Sequence, residues 1–348
     1  MPAAICRNRI TVAMSGGVDS CVAAKLLKDE GHDVRCVFFV MSDAHLPQIA
    51  AARSAADSLC LPLAVLDLRG EFSAVTDYFC REYCAGRTPN PCVVCNPTVK
   101  FKALCEEADR NGSERIATGH YARVETRGGC YILRKAACLE RDQSYMLYSL
   151  PQSQLSRLVL PLGERTKTSV RESARQSGLA AADAPDSQEI CFIPDGDYPA
   201  YIAAHGCRGK KGRFISPDGE ALGPHEGVEH YTIGQRRGLH ISLGRPVFVK
   251  SILPDGDIRL GWSGDEYSAG VEIADIRMNP AYVLRQGGVY AVKLRSAARP
   301  ADCRIGAVGG EGCALLFDAP QRAPAPGQSA VLYDGELLAG GGVIARCL

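Results

Sequence analysis

The sequence predicts an α/β domain on a parallel sheet, followed by two small β modules, and three observations carry that prediction. A strand–helix–strand pattern fills residues 10–40, the βαβ unit whose crossover is right-handed. After about residue 205 Gly and Pro become frequent, and short strand-like runs separated by turn signals replace helical spacing. A length of 348 residues, 46% hydrophobic and 23% charged, fits two or three domains of an ordinary globular chain and excludes disorder and collagen-like repetition.

Each element has its own signal. Ile10–Met14 is a short apolar run rich in β-branched residues. Val18, Val22, Ala23, Leu26 and Leu27 recur at helical spacing up to Gly31, a natural C-cap. Val34–Val40 reads as a buried strand, Leu46–Ser58 and Phe72–Glu82 as helices, Leu63–Leu68 and Arg115–Thr118 as strands. In the second half, Pro246–Ile252 and Ile258–Gly261 flank the turn Pro254-Asp255-Gly256-Asp257 as a hairpin. Val289–Leu294, Asp302–Val308, Ala314–Phe317, Ala330–Tyr333 and Leu337–Ile344 continue the strand pattern, with Asp334-Gly335 a tight turn. The predicted domains are 1–204, 205–270 and 271–348.

Composition narrows the function. No run of about 18 apolar residues is present, so no membrane helix is expected, and the N-terminus carries no secretory pattern. Forty basic and 39 acidic residues leave +1; a nucleic-acid surface must then be a local patch. Arg208, Lys210, Lys211 and Arg213 form one candidate patch, and Arg165, Lys167, Arg171 and Arg175, at near-helical spacing, another. Sixteen cysteines without an export signal point to reduced thiols in a cytoplasmic protein, most of them small core residues, as with Cys36 and Cys60.

Two motifs carry chemistry. Ser15-Gly16-Gly17-Val18-Asp19-Ser20 lies between the first strand and the first helix. Glycines let backbone N–H groups close around an anion, and the helix N-terminus adds its positive end. Ser15 and Ser20 supply hydroxyl donors, and Asp19 is placed to hold magnesium beside phosphates. The Gly-Lys-Ser/Thr ending of a Walker loop and the Gly-x-Gly-x-x-Gly dinucleotide pattern are both absent; a glycine turn with a capping Ser or Asp is the bland alternative. The second motif is Gly86-Arg87-Thr88-Pro89-Asn90-Pro91-Cys92-Val93-Val94-Cys95-Asn96, leading to Lys100-Phe101, with Cys191 far downstream in Gln188-Glu189-Ile190-Cys191-Phe192-Ile193. Pro-Asn-Pro predicts a rigid loop presenting two thiols. The Cys-x-x-Cys pair reads as zinc, redox or nucleophile, with Cys80 and Cys84 the nearest further thiols for zinc.

The hexapeptide resembles the signature of PP-loop ATP pyrophosphatases, which split ATP between its α- and β-phosphates. With Thr118-Gly119-His120-Tyr121, Arg141-Asp142-Gln143-Ser144-Tyr145, Tyr231 to Leu239 and Gly327-Gln328-Ser329-Ala330-Val331, the chain resembles the bacterial tRNA-specific 2-thiouridylases over nearly its whole length. The resemblance implies a PP-loop (adenine nucleotide alpha hydrolase-like, Rossmann-like) parallel sheet with helices, then a small central β module and a C-terminal β-barrel. It implies ATP at Ala13, Met14, Ser15, Gly16, Gly17, Val18, Asp19 and Ser20, with Phe39 (commonly Met in the family) and Gly119 nearby. Cys95 aligns with the nucleophile and Cys191 with the persulfide carrier. Asn90, Pro91, Cys92, His120, Arg141, Asp142, Gln143, Gln328, and Arg295 with Ser296 align with tRNA contacts. Cys92 departs from the Asp of many relatives, and the surroundings of Arg295-Ser296 depart from the family's pattern.

The implied reaction is ATP-dependent 2-thiolation of the wobble uridine. The 2-oxygen is adenylated, sulfur from the Cys191 persulfide (directly, or as sulfide) displaces AMP, and a Cys95–Cys191 disulfide remains. Implied partners are ATP, Mg²⁺, tRNAs for Glu, Gln and Lys, and a cysteine desulfurase or sulfur-relay protein as donor. His120 and Tyr121 are expected to stack on the splayed base, both thiols to be accessible with low pKa, and the Cys191 loop to order on tRNA. Three rivals stand beside this reading: an iron–sulfur cluster on Cys92, Cys95 and Cys191, a PP-loop amidotransferase or ligase, and a metal-dependent RNA-binding protein.

Overall fold

A computed structural model describes residues 8–183, 190–310 and 312–348. The chain divides into two compact units, one of Met1–Ala74, Cys92–Gly196 and Glu336–Leu338, the other of Val75–Pro91, Asp197–Gly335 and Ala339–Leu348.

The first unit runs β1 (Arg9–Ala13), α1 (Val18–Asp29), β2 (Asp33–Val40), α2 (Gln48–Ser58), β3 (Leu63–Asp67) and the start of α3 (Arg69–Cys84). It resumes with α4 (Pro91–Cys95), a π-helical turn at Asn96–Lys100, α5 (Phe101–Arg110) and β4 (Arg115–Ala117). The hairpin β5 (Arg123–Arg127) and β6 (Cys130–Arg134), α6 (Ser144–Leu147), α7 (Gln152–Leu155), β7 (Leu158–Val159) and α8 (Lys167–Gln176) complete it. The five-stranded sheet has the order β3-β2-β1-β4-β7, and every pairing is parallel. Because β1 has β2 on one side and β4 on the other, the chain reverses its winding there. A crevice therefore opens beyond the C-terminal end of β1, where doubly wound sheets take ligands. The expected strands and helices are present within a few residues at their ends, and Gly31 takes φ +88° after α1. Val18, Val22, Ala23 and Leu27 of α1 pack on Ile10, Val12 and Met14 and on Val170 and Ala174 of α8, so the glycine turn is held by buried residues on both flanks.

One local reading is corrected. Pro91–Cys95 is helical; proline is tolerated at the first helical position, where its missing N–H costs no bond. The rigid loop therefore stops at Asn90, and the two thiols stand on a helix. Pro97 explains the π turn that follows. It cannot donate to the carbonyl of Val93, and that carbonyl accepts instead from Ser149 Oγ at 2.9 Å.

The second unit holds α9 (Tyr198–Ala204), β8 (Gly212–Ile215), β9 (Ala221–His225), β10 (Val247–Ile252) and β11 (Ile258–Trp262), in a sheet of order β10-β11-β8-β9. β12 (Tyr267–Met278), β13 (Val289–Lys293), β14 (Ala301–Gly309), β15 (Gly312–Arg322), β16 (Ser329–Asp334) and β17 (Leu337–Cys347) follow. They are ordered β12-β15-β14-β13-β16-β17, and β12 pairs β17 to close a six-stranded barrel. Val271, Ile273, Val292, Leu315, Leu332 and Ile344 fill it, and closure leaves no open edge. β12 passes through Gly270, where a module boundary was expected.

Candidate active site

The turn after β1 does what its glycines suggest. Gly16 has φ +81°, and a Cβ there would meet the Ala52 backbone nitrogen at 2.9 Å. Gly17 is extended and caps α1. Ser20 Oγ accepts from the Ser15 N–H at 3.1 Å and donates to the Gly17 carbonyl at 3.0 Å, which pins the loop from inside. Gly119 approaches from the end of β4: a Cβ there would meet Ser20 N at 2.7 Å and Asp19 C at 2.8 Å. The cavity beyond these residues is about 700 Å³, enough for a nucleotide. Ala13, Met14, Ser15, Gly16, Gly17, Asp19, Ser20, Phe39 and Gly119 all line it, as do His120, Gln143 and Cys191; Val18 turns into the core.

The carboxylate of Asp19 is already engaged. Lys167 Nζ donates to both oxygens at 2.8 Å, and the Tyr121 hydroxyl donates to Oδ1 at 2.7 Å. Tyr121 is thus buried beneath the loop, which corrects its expected role as a stacking platform. The Lys167–Asp19 pair has no local sequence signal, since its members are 148 positions apart.

The three cysteines of the second motif converge. Lys100, on the cavity wall with Cys191, interacts electrostatically with Cys92, Cys95 and Cys191 together, and Cys191 with both of the others. Cys92 and Cys191 are exposed and Cys95 is buried, with its Sγ 3.9 Å from Met41 Sδ. Although Cys92 and Cys191 are exposed as residues, surrounding atoms desolvate their sulfurs, pushing Cys191 up to about 12 and raising Cys92, as burial raises Cys95; Lys100 opposes each shift without cancelling it. Of the expected two accessible, acidic thiols, Cys191 is accessible and Cys95 is not, and neither is acidic. In the resting site the sulfur is protonated. Residues 186–189 of the Cys191 loop lie outside the described residues; beyond them Phe192 and Ile193 are buried, and Phe192 meets Phe72 edge-on at 5.3 Å.

Three family descriptions cover the chain: a tRNA methyl transferase HUP domain over residues 8–195, a tRNA methyl transferase PRC-barrel domain over 201–258, and an aminomethyltransferase beta-barrel domain over 278–344. A relative named tRNA-specific 2-thiouridylase MnmA from Lachnoclostridium phytofermentans is 41% identical across 97% of this chain and 100% of its own length. The chain belongs to the tRNA-specific 2-thiouridylase family. Proteins of the same name from Syntrophomonas wolfei (42% identical, 97% of this chain and 99% of theirs) and Clostridioides difficile (39%, 98% and 99%) are similar over the same extent.

The residues that the thiouridylase resemblance assigns to tRNA fall in both units. In the first, His120 Nδ1 bonds Thr118 Oγ1 at 2.8 Å, and burial, then Lys100, lowers its pKa to about 3, so the ring is neutral. Gln143 Oε1 accepts from the Tyr121 N–H at 2.9 Å. Asp142 accepts from Ala136 N, Ser144 N and Ser144 Oγ, a local structural duty, while Arg141 is exposed. Cys92 lies in this unit too, whereas Asn90, Pro91, Arg295, Ser296 and Gln328 belong to the second. There the Arg295 guanidinium donates to the carbonyls of Ile233 and Ala323.

Several members of the two basic strips have local partners. Lys167 turns inward to Asp19, Arg171 donates to the Ala182 carbonyl, and Arg175 pairs with Asp183. In the other strip Lys210 donates to the Pro254 carbonyl, Lys211 pairs with Glu226 and Arg213 with Asp257. Among the described residues no group of three or more His, Cys, Asp or Glu is arranged to hold a metal ion. Cys92, Cys95 and Cys191 do not form a ligand set as they stand, with a lysine charge facing all three. No helix of the described residues is long and apolar enough to cross a membrane.

Proposed function

We propose that this chain replaces the 2-oxygen of the wobble uridine of tRNA with sulfur, using ATP, in the cytoplasm. One observation carries the reading: the glycine loop and Cys191 line a single cavity, with Cys92 and Cys95 beside it. A thiolating enzyme needs that convergence, whereas a PP-loop ligase has no use for paired thiols.

Uracil C2 is a poor electrophile with no leaving group. With ATP on the Ser15–Ser20 loop, the uridine 2-oxygen attacks the α-phosphorus, and the bond to the β-phosphate breaks, releasing pyrophosphate. Backbone N–H groups of Gly16 and Gly17 and the N-terminus of α1 stabilise the charge gained by the phosphates. Magnesium carried on the phosphates belongs to this substrate; Asp19 meets it only by leaving Lys167. The outer sulfur of a Cys191 persulfide then attacks C2, and AMP departs with the former 2-oxygen. Cys95, as thiolate, attacks Cys191 Sγ, so that a Cys95–Cys191 disulfide forms and the 2-thiouridine leaves with the outer sulfur. A dithiol reductant reopens the disulfide. Direct attack suits the exposed Cys191 and the buried Cys95, because the carrier must reach a donor and the resolving thiol need not.

The exposed Arg141, with Asn90, Pro91, Cys92, His120, Gln143, Arg295, Ser296 and Gln328, is assigned to the tRNA, of the Glu, Gln and Lys type. The donor is a cysteine desulfurase or sulfur-relay protein. Nucleoside mass spectrometry after incubation with unmodified tRNA, ATP and a persulfide donor tests the function. 2-Thiouridine is expected from the native chain and from Cys60→Ala, and none from Cys95→Ala or Cys191→Ala; unimpaired thiolation by either of the last two refutes the assignment.

A further inference from the structure

Five residues after Cys95 the chain sets a lysine that shares a cavity wall with Cys191 and interacts electrostatically with Cys92, Cys95 and Cys191. Lys100 ends the π turn that Pro97 imposes, and its side chain lines the cavity with Cys191 and His120. Among the described residues no acceptor is in hydrogen-bond or ion-pair contact with its ammonium. Burying an ammonium without an anion is costly, so the groups around it decide what it serves. Cys92 and Cys95 face it from α4, Cys191 from the 190–196 segment, His120 from beyond β4, and His45 from the turn at 43–45. Burial and then Lys100 itself hold His120 near 3; burial also lowers His45. Both rings are therefore neutral near pH 7 and supply no negative charge. The three thiols are the described neighbours that can become anions beside it. Burial alone would lower the lysine, but Cys95, Cys92 and Cys191 hold it above its ordinary range.

We propose that Lys100 is the positioning residue that draws the cysteine sulfurs into their anionic form at the moment of sulfur transfer. The inference rests on the sulfur-transfer reading above and adds to it the group that makes protonated thiols usable. At rest the sulfurs are protonated and inert to stray oxidants. When Cys95 gives its proton to solvent, the thiolate pairs with Lys100. It then attacks Cys191 Sγ, the new sulfur–sulfur bond forms, and the bond from Cys191 to the thiouridine sulfur breaks, with the electron pair leaving on that sulfur. Lys100 exchanges no electrons; it lowers the cost of each sulfur anion in turn. The same ammonium faces Cys95 and Cys191, so one charge serves the nucleophile and the carrier.

The test needs neither tRNA nor ATP. Iodoacetamide alkylation of Cys191 and Cys95 is followed by peptide mass spectrometry from pH 7 to 10 in the native chain and in Lys100→Met, Lys100→Gln and Lys100→Arg. Loss of the charge should slow Cys191 alkylation at pH 8.5 by about tenfold and move its pH profile upward by about one unit. Lys100→Arg should restore most of the rate, which a merely structural lysine would not do. If Lys100→Met does not fold, Lys100→Gln against Lys100→Arg carries the comparison. Superimposable profiles in the native chain and the neutral variants overturn the proposal. So does unchanged alkylation with weakened ATP binding, which would give the lysine to the phosphates. Should the native chain thiolate no tRNA while the alkylation profiles still shift, the functional reading fails and the lysine–sulfur pairing stands.

Discussion

Gly119 is where the account of the nucleotide loop is most exposed. Its α-carbon sits so close to the start of α1 that an added methyl would lie 2.7 Å from Ser20 N and 2.8 Å from Asp19 C. Both are backbone atoms at a helix N-terminus and cannot rotate away. The methyl is about 0.7 Å short of ordinary contact, so Gly119→Ala must push the end of β4 and the Ser15–Ser20 turn apart by about that much. Overpacking of this kind costs roughly 1–3 kcal/mol of stability. Displacing an anion-binding loop by most of an ångström is expected to cost about 100-fold in turnover. Two assays follow: calorimetric titration with ATP, where the variant should bind about tenfold or more weakly, and urea unfolding, where the loss should stay within the stated range. Native ATP affinity in Gly119→Ala, with its stability intact, would refute the placement of ATP against this turn.

Further perturbations test other parts of the site. Phe192→Ala removes the ring that anchors the residue next to Cys191 on Phe72; it should cost about 3 kcal/mol and cut thiolation, with ATP affinity within twofold of native, and equal thiolation would show that the anchor is idle. Lys167→Met leaves Asp19 with Tyr121 alone and should lower unfolding free energy by about 2 kcal/mol, read from urea curves; no change would mean that the pair contributes nothing. His120 gives a pH signature. Its folded pKa, near 3, lies below the ordinary value of 6.5, so between these limits the unfolded chain binds the extra proton. Stability then falls as the pH drops below 6.5, by about 1.4 kcal/mol per unit. His120→Asn should flatten that limb between pH 6.5 and 5, and parallel curves would show that the ring is not buried neutral.

What the sequence disclosed and what it hid follow a physical line. The turn at 15–20 was legible because glycine, serine and aspartate at a strand–helix junction have few other uses, and the strands of the sheet announced themselves as β-branched runs. Cys95 and Cys191 were legible as chemistry, but their meeting rested on family resemblance, since spacing in the chain says nothing of contact across 96 residues. The thiol environment was misjudged for the same reason: burial raises these groups, and burial belongs to the fold. Pro-Asn-Pro misled because proline breaks a helix from within and begins one comfortably, and only the structure tells which. Lys100 was in plain view five residues past Cys95, yet its purpose needed the wall of the cavity. The Lys167–Asp19 pair and the course of β12 through Gly270 left no local signal at all.

The central claim is that the uridine 2-oxygen leaves on AMP, displaced by sulfur delivered at the same cavity. It is tested most directly with tRNA carrying ¹⁸O at the 2-position of the wobble uridine, taken through one turnover with ATP and a persulfide donor. Mass spectrometry of the released nucleotide should find one ¹⁸O in AMP for each 2-thiouridine formed. Thiolation that leaves AMP unlabelled would contradict the account.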